Sequence, residues 1–134
     1  LGHWSFSGDD EILNDFYGFI YKITNTLTGQ MYIGKKQAVR KIKRRPLKDK
    51  KRRRALITES DWKTYTGSCR QLNEDIETYG KDRFEFEILK LCNSKWELAY
   101  EETKLQFKLE VLLTNSYYNG IINCRIGKKP KNVK

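Results

Sequence analysis

Two segments rich in aromatic and β-branched residues flank one tight turn. Gly18-Phe19-Ile20-Tyr21 stands on one side and Met31-Tyr32-Ile33-Gly34 on the other, with Asn25-Thr26-Leu27-Thr28-Gly29 between them. Residues 16–25 and 30–35 favour strands, and Gly29 with its Thr and Asn neighbours favours the turn, so the spacing predicts a β-hairpin. Tyr21 and Tyr32, eleven positions apart, are thereby brought side by side. Such a pair is ordinarily a cross-strand aromatic contact that packs the sheet. The segment immediately downstream is less ordinary. Residues 35–54 hold thirteen Lys and Arg against one acid, Asp49, and Pro46 interrupts any continuous helix there. A block of this density repels itself and is expected to stay mobile until a polyanion arrives.

The remaining segments read as alternating helix and strand. Ser68-x-x-Gln71 is a capping box that opens a helix through Leu72 and Ile76 to a stop near Gly80. Residues 83–91 alternate Phe84, Phe86 and Ile88 and read as a third strand. Ser94-x-x-Glu97 is a second capping box, opening the longest helix over about residues 95–114. A turn at Tyr117-Tyr118-Asn119-Gly120 precedes a short final segment. The order predicts an α+β fold: a small three-stranded antiparallel sheet flanked by helices. Residues 16–126 are read as a single domain carrying the basic insertion at 35–54. Residues 1–15 are read as an N-terminal extension, its first residues set aside because the chain starts at Leu1 without Met, and 127–134 as a disordered basic tail.

At 134 residues, with 38% hydrophobic and 13% aromatic residues, the chain can bury one modest core. A net charge of +10 points to a polyanionic partner, nucleic acid before membrane, because no apolar stretch approaches the roughly 20 residues of a spanning helix. Cys69, Cys92 and Cys124 are odd in number and show no C-x-x-C pairing, and His3 is the sole histidine. These counts argue against a structural zinc site, a disulfide framework and histidine-based catalysis, and they suit a reducing cytoplasm.

The long helix supplies the sharpest local argument. Glu97, Glu101, Lys104 and Lys108 are three and four apart and share one face as expected solvated ion pairs. Leu98, Leu105, Leu109 and Leu112 form a different stripe, and Glu102 falls on it. A carboxylate there sits either at the stripe's edge beside a lysine, or is kept for a charged partner or a metal, since burying it alone is costly. Paired phenols, a cation block and a core-side Glu together fit phosphodiester hydrolysis. A metal held by a carboxylate stabilises charge on phosphate oxygens, and arginine grips phosphate bidentately. A phenol, with an unperturbed pKa of about 10, becomes a useful base only where cations or a metal lower that value, and the surrounding Lys and Arg are expected to do so.

The residues now carry a resemblance. Phe19-Ile20-Tyr21, ten residues, then Tyr32-Ile33-Gly34 resembles the paired signature of the GIY-YIG nuclease family, followed in order by a late helical Glu and a C-terminal Tyr-Asn. The stretches YIGKK, ESDWKTYTGS, Ala99 to Phe107 and SYYN are similar to the phage-borne homing endonucleases of the Seg type, across about residues 17–126. The resemblance implies a metal-dependent DNA endonuclease using Mg²⁺, with Mn²⁺ as the alternative. It implies hydrolytic roles for Tyr21 and Tyr32, metal binding by Glu102 and a bracing role for Asn119. It also implies a phosphate-binding arginine, nearest at Arg40, with Arg44 and Arg45 as alternatives. Lys36 is expected as a second phosphate contact, and Lys35, Lys36, Arg44, Arg45, Lys51, Arg52, Arg53 and Arg54 as DNA contacts.

Two departures qualify the match. Phe19 stands where the family usually has Gly, with Gly18 one place earlier. The sequence also ends soon after the module, where homing members commonly carry a separate DNA-binding region, so it reads either as an excised catalytic domain or as a compact enzyme whose basic segment at 35–54 binds the DNA. The competing readings are a catalytically silent nucleic-acid-binding module of the same fold and a repair or restriction nuclease of the same family.

Overall fold

The computed structural model describes residues 2–6, 16–44, 54–123 and 125–131, with the side chains of 40–44 and 54–59 left aside. Strand β1 (Gly18–Asn25) lies at the centre of a three-stranded sheet, between β2 (Met31–Gln37) and β5 (Phe84–Cys92), both antiparallel to it. The predicted sheet is therefore the observed one. Phe19, Ile20, Tyr21 and Ile23 are all buried because both faces of β1 are covered. Phe19, Tyr21 and Ile23 join Phe84, Phe86, Ile88, Trp4, Trp62 and Leu72 on one face. On the other, Ile20 and Ile33 meet Leu98 of helix α2 (Lys95–Lys108) and Val111. Ile20 pairs with Lys90 and Tyr21 with Ile88, so Leu89 is an extra residue on β5. That bulge reverses the parity of the strand and delivers Cys92 to the α2 side.

The hairpin turn is built by Asn25. Its side-chain oxygen accepts from the Leu27 N–H at 2.9 Å, its backbone oxygen accepts from Gly29 at 2.8 Å, and Gly29 takes φ +77°, a conformation that favours glycine. Helix α1 (Arg70–Tyr79) buries Leu72 and stops at Gly80, which has φ +92°. Its cap differs from expectation. Cys69, not Ser68, precedes the first turn, and no side chain caps it. Asn73 instead reaches back to the carbonyls of Gly67 and Cys69, both at 3.0 Å, and leaves Ser68 turned toward Tyr32. The second capping box holds: Ser94 Oγ accepts from the Glu97 N–H at 3.1 Å. Helix α2 ends at Lys108 rather than near 114, because Glu110 adopts a left-handed φ of 54° and turns the chain.

Two further corrections concern charge. The basic block does not stay unpaired along its whole length. Strands β3 (Val39–Arg44) and β4 (Arg54–Glu59) form an antiparallel two-stranded sheet, with Ile42 opposite Leu56 and Lys41 opposite Ile57. Apolar and β-branched residues interleaved with the cations give the backbone a reason to pair despite the repulsion. Residues 45–53, which join the two strands, lie outside the described residues. On α2, Glu101 ion-pairs across to Lys90 of β5 at 3.1 Å rather than standing on a wholly solvated face. Among the described residues no helix is long and apolar enough to cross a membrane.

The N-terminal residues, set aside on sequence grounds, complete the core. Ser5 bridges the outer edge of β5, its N–H donating to Phe86 O at 2.8 Å and its carbonyl accepting from Ile88 N at 2.9 Å. Trp4, 3% exposed, packs on Phe19, Tyr21 and Phe86 and donates its indole N–H to Trp62 O at 2.6 Å. A buried tryptophan of this kind typically contributes about 3–5 kcal/mol relative to alanine. Trp4→Ala is expected to lower the unfolding free energy extrapolated from urea titration by an amount of that order, and a value unchanged from the parent would show that the segment does not hold the core.

Candidate active site

Strand register decides how the two phenols meet. Tyr21 lies opposite Gly34, while Tyr32 lies opposite Ile23, so the tyrosines are diagonal neighbours on one face. Their ring centroids are 6.1 Å apart. A Cβ at Gly34 would stand 2.5 Å from the Tyr21 hydroxyl and 2.9 Å from the Tyr32 ring, so only glycine leaves room for the pair. Gly67, at φ +85°, closes on the same two side chains from the loop before α1. Tyr32 Oη lies 3.4 Å from Ser68 Oγ. Tyr65 stands edge-on to Tyr21 at 6.1 Å and shares a side-chain hydrogen bond with it. Lys36 Nζ sits 4.2 Å from the centre of the Tyr65 ring and 2.7 Å from Asp61, with its side chain only 19% exposed.

Glu102 approaches from α2, half-buried at the outer edge of β2, where it takes a hydrogen bond from the Lys35 backbone. Burial raises its pKa above the ordinary 4.5, and the Lys35 charge and N–H oppose that rise. Its carboxylate lies close enough to act on the charge of both phenols. Asn119, also buried, binds the same edge two residues earlier. Its side chain accepts from Ile33 N–H at 3.0 Å and donates to Ile33 O at 2.8 Å, which mimics a strand partner. Gln106 Nε2 adds a bond to Ile33 O at 3.0 Å.

The structure thus gathers Tyr21, Tyr32 and Glu102, with Lys36 on the phenol face, Lys35 on the strand beside them and Asn119 bonded to that strand's edge at Ile33. Arg40 and Arg44 lie on β3 and Arg54 on β4, with side chains outside the description. Arg45, Lys51, Arg52 and Arg53 lie outside the described residues altogether. Tyr65 and Gly67 lie in the stretch ESDWKTYTGS that carries the family resemblance, and Ser68 was read as a helix cap, but none of the three was assigned to the site. The tract Thr64-Tyr65-Thr66-Gly67-Ser68 carries no periodicity that would place it beside the hairpin.

One electrostatic expectation is overturned. Both tyrosines have raised pKa values, first because burial disfavours the phenolate, then because Glu102 and neighbouring phenols add negative charge. The Ser68 hydrogen bond opposes the rise at Tyr32 only in part. In the chain as it stands, both are neutral hydrogen-bonding groups at neutral pH.

A family model described as "Putative endonuclease segE, GIY-YIG domain" matches residues 4–122. The chain belongs to the GIY-YIG family. It is a GIY-YIG endonuclease domain of the SegE type, hence a phosphodiester hydrolase with a nucleic-acid substrate. Members of the family generally use a divalent metal. No curated relative and no solved structure matched the chain. The matched span begins at Trp4, in keeping with the structural role of the N-terminal segment.

The raised pKa of Glu102 gives a stability signature. Between the ordinary carboxylate value and its own, the folded state holds a proton that the unfolded state has lost, so stability falls as pH rises through that window. The penalty is fully present above the folded value and absent below the unfolded one. With a chelator present, Glu102→Gln is expected to melt above the parent at neutral pH, with the gap closing as pH falls below the ordinary carboxylate range. A variant that melts below the parent at neutral pH would show that the Lys35 contacts outweigh burial.

Proposed function

We propose that this domain is a Mg²⁺-dependent DNA endonuclease in which Glu102 holds the ion and Tyr21 and Tyr32 orient the attacking water. The observation that carries it is the meeting of two phenols over Gly34 with a half-buried carboxylate at the adjoining strand edge. Among the described residues no group of three or more His, Cys, Asp or Glu could form a closed metal cage. The donor set suits Mg²⁺ nonetheless, because this ion is commonly bound through one or two carboxylates, with phosphate oxygens and water completing its shell. When bound, the ion supplies positive charge to the non-bridging and leaving oxygens of the phosphate.

The chain's own groups do the rest. Glu102 is pre-positioned by the Lys35 backbone, and burial makes its anion gain from a cation. Tyr21 is fixed by Tyr65 and Tyr32 by Ser68, so the two hydroxyls have separate supports and need not be equivalent. Lys36, shared between Asp61 and the Tyr65 face, offers a positive charge to one phosphate oxygen. Arg40 is our first choice for the bidentate grip, followed by Arg44 and Arg45. Asn119 acts by fixing the Ile33 peptide rather than by touching substrate. The assignment to the homing type of phage nuclease extends the resemblance of YIGKK, ESDWKTYTGS and SYYN to Seg-type enzymes, and a reducing cytoplasm suits three cysteines without a pairing motif.

The decisive assay is nicking of supercoiled plasmid with Mg²⁺. The parent is expected to nick, while Glu102→Ala, Tyr21→Phe and Tyr32→Phe each lose at least about a hundredfold in rate, the scale of losing a group that acts in proton transfer or positioning. DNA binding without cleavage by the parent would instead identify a silent module, and equal rates in all four proteins would remove these residues from the mechanism.

The basic β3–β4 hairpin is the proposed backbone-binding arm. Replacing Arg45, Lys48, Lys50, Lys51, Arg52 and Arg53 by Gln keeps the paired strands and removes six charges. Affinity is expected to fall uniformly across sequences, and the slope of log K against log salt to flatten by about 0.9 for each phosphate no longer neutralised. An unchanged slope would place the DNA elsewhere.

A further inference from the structure

Helix α2 has a second face. Glu102 and Leu98 look toward β2 and the core, whereas Trp96, Tyr100, Thr103, Lys104 and Phe107 follow one another at helical spacing on another side. Ile126, Gly127, Lys128 and Lys129 lie across that side and complete a groove of about 420 Å³. The segment is tied down: Trp96 donates its indole N–H to Gly127 O at 2.8 Å. Trp96 and Tyr100 are stacked, with centroids 4.9 Å apart and planes at 14°. Tyr100 is 43% exposed and Phe107 58% exposed, so aromatic surface stays open to solvent. Three lysines line the groove, and among the described residues no carboxylate does.

We propose that this groove binds an unpaired stretch of a nucleic-acid strand, with bases stacking on Tyr100 and Phe107 and phosphates held by Lys104, Lys128 and Lys129. Charge complementarity selects the occupant. Flat aromatic surface beside cations suits a polyanion with π-faces, and stacking platforms in a positive groove are how single strands are held without reading sequence. An apolar peptide would leave the lysines without counter-charges. The choice of nucleic acid rests on the nuclease reading, but none of the groove residues belongs to the proposed active site. The enzyme would then hold a single-stranded flank or product strand on the side of α2 turned away from Glu102.

The test titrates the protein with short oligothymidylate and with a duplex of equal length, following tryptophan fluorescence and anisotropy. Trp4 and Trp62 are buried, so the half-buried Trp96 is the reporter. Oligothymidylate is expected to quench it. Tyr100→Ala and Phe107→Ala should each weaken single-strand binding roughly 5- to 100-fold, the range of one base–aromatic stack. Duplex affinity and plasmid nicking should stay at the parent level, and Tyr100→Trp should restore single-strand binding. Glu102→Ala, by contrast, should keep oligothymidylate binding while losing cleavage, which separates this proposal from the catalytic one. No quenching, equal losses for single strand and duplex, or failure of Tyr100→Trp to restore binding would overturn it; absence of quenching would leave the groove to a protein partner.

Discussion

Strand β2 is the edge of its sheet, and the outward peptide groups of Met31, Ile33 and Lys35 have no neighbouring strand to pair with. An open edge is both a loss of hydrogen bonding and an invitation to aggregation. The chain closes it residue by residue. Ser116 and Tyr118 bond the Met31 peptide through their backbones at 2.8 and 2.7 Å, Asn119 and Gln106 take Ile33, and Glu102 takes Lys35. Two of the residues that the family resemblance singles out, Glu102 and Asn119, are therefore edge-closing groups by position. Spacing along β2 sets where they sit, because peptide groups face outward only at every second residue.

That closure has a consequence for charge. A carboxylate serving as the last partner of a strand edge is held half-buried, and its ionisation is penalised by the same apolar stripe that positions it. Beneath it the two phenols are packed over glycine, where burial suppresses their ionisation as well. Three weakly acidic groups are thus crowded together with their anionic forms disfavoured. Such a cluster is stabilised by an added cation, and this arrangement, rather than any proximity of Lys or Arg, is the physical ground for the metal site proposed above.

Sequence reading reached the hairpin, the third strand and both helices because each had a period or a turn residue of its own. Tyr21, Tyr32 and Glu102 were legible for the same reason: the phenols bracket a turn, and Glu102 interrupts a stripe. The features that stayed hidden depended on contacts distant in sequence. Trp4 looked like a terminal aromatic until β5 offered it an edge and a core. Ser68 matched a capping box, yet Asn73 bonds the loop carbonyls and frees Ser68 for Tyr32. The cations of 35–54 masked the strand-forming residues Val39, Ile42, Leu56 and Ile57 between and beyond them. Arg40, Arg44 and Arg45 could be ranked only by offset, since nothing local distinguishes one arginine of a basic tract from another.

The departure at Phe19 shows how the core and the site exchange constraints. Where relatives of this signature commonly place glycine, Phe19 is fully buried and meets Trp4, Phe16, Tyr21 and Trp62 edge-on, at centroid distances from 5.2 to 6.2 Å. A glycine there would remove the ring against which Trp4 and Trp62 both pack. The close approach is required one strand away instead, at Gly34, where a single Cβ would collide with Tyr21. Aromatic bulk at Phe19 and its absence at Gly34 act on the same phenol: one packs edge-on against the Tyr21 ring and the other clears the space its hydroxyl occupies. Tyr21 is consequently held by packing at its ring and by Tyr65 at its oxygen, so the hydroxyl's position depends on the N-terminal segment that carries Trp4 as directly as on the hairpin itself.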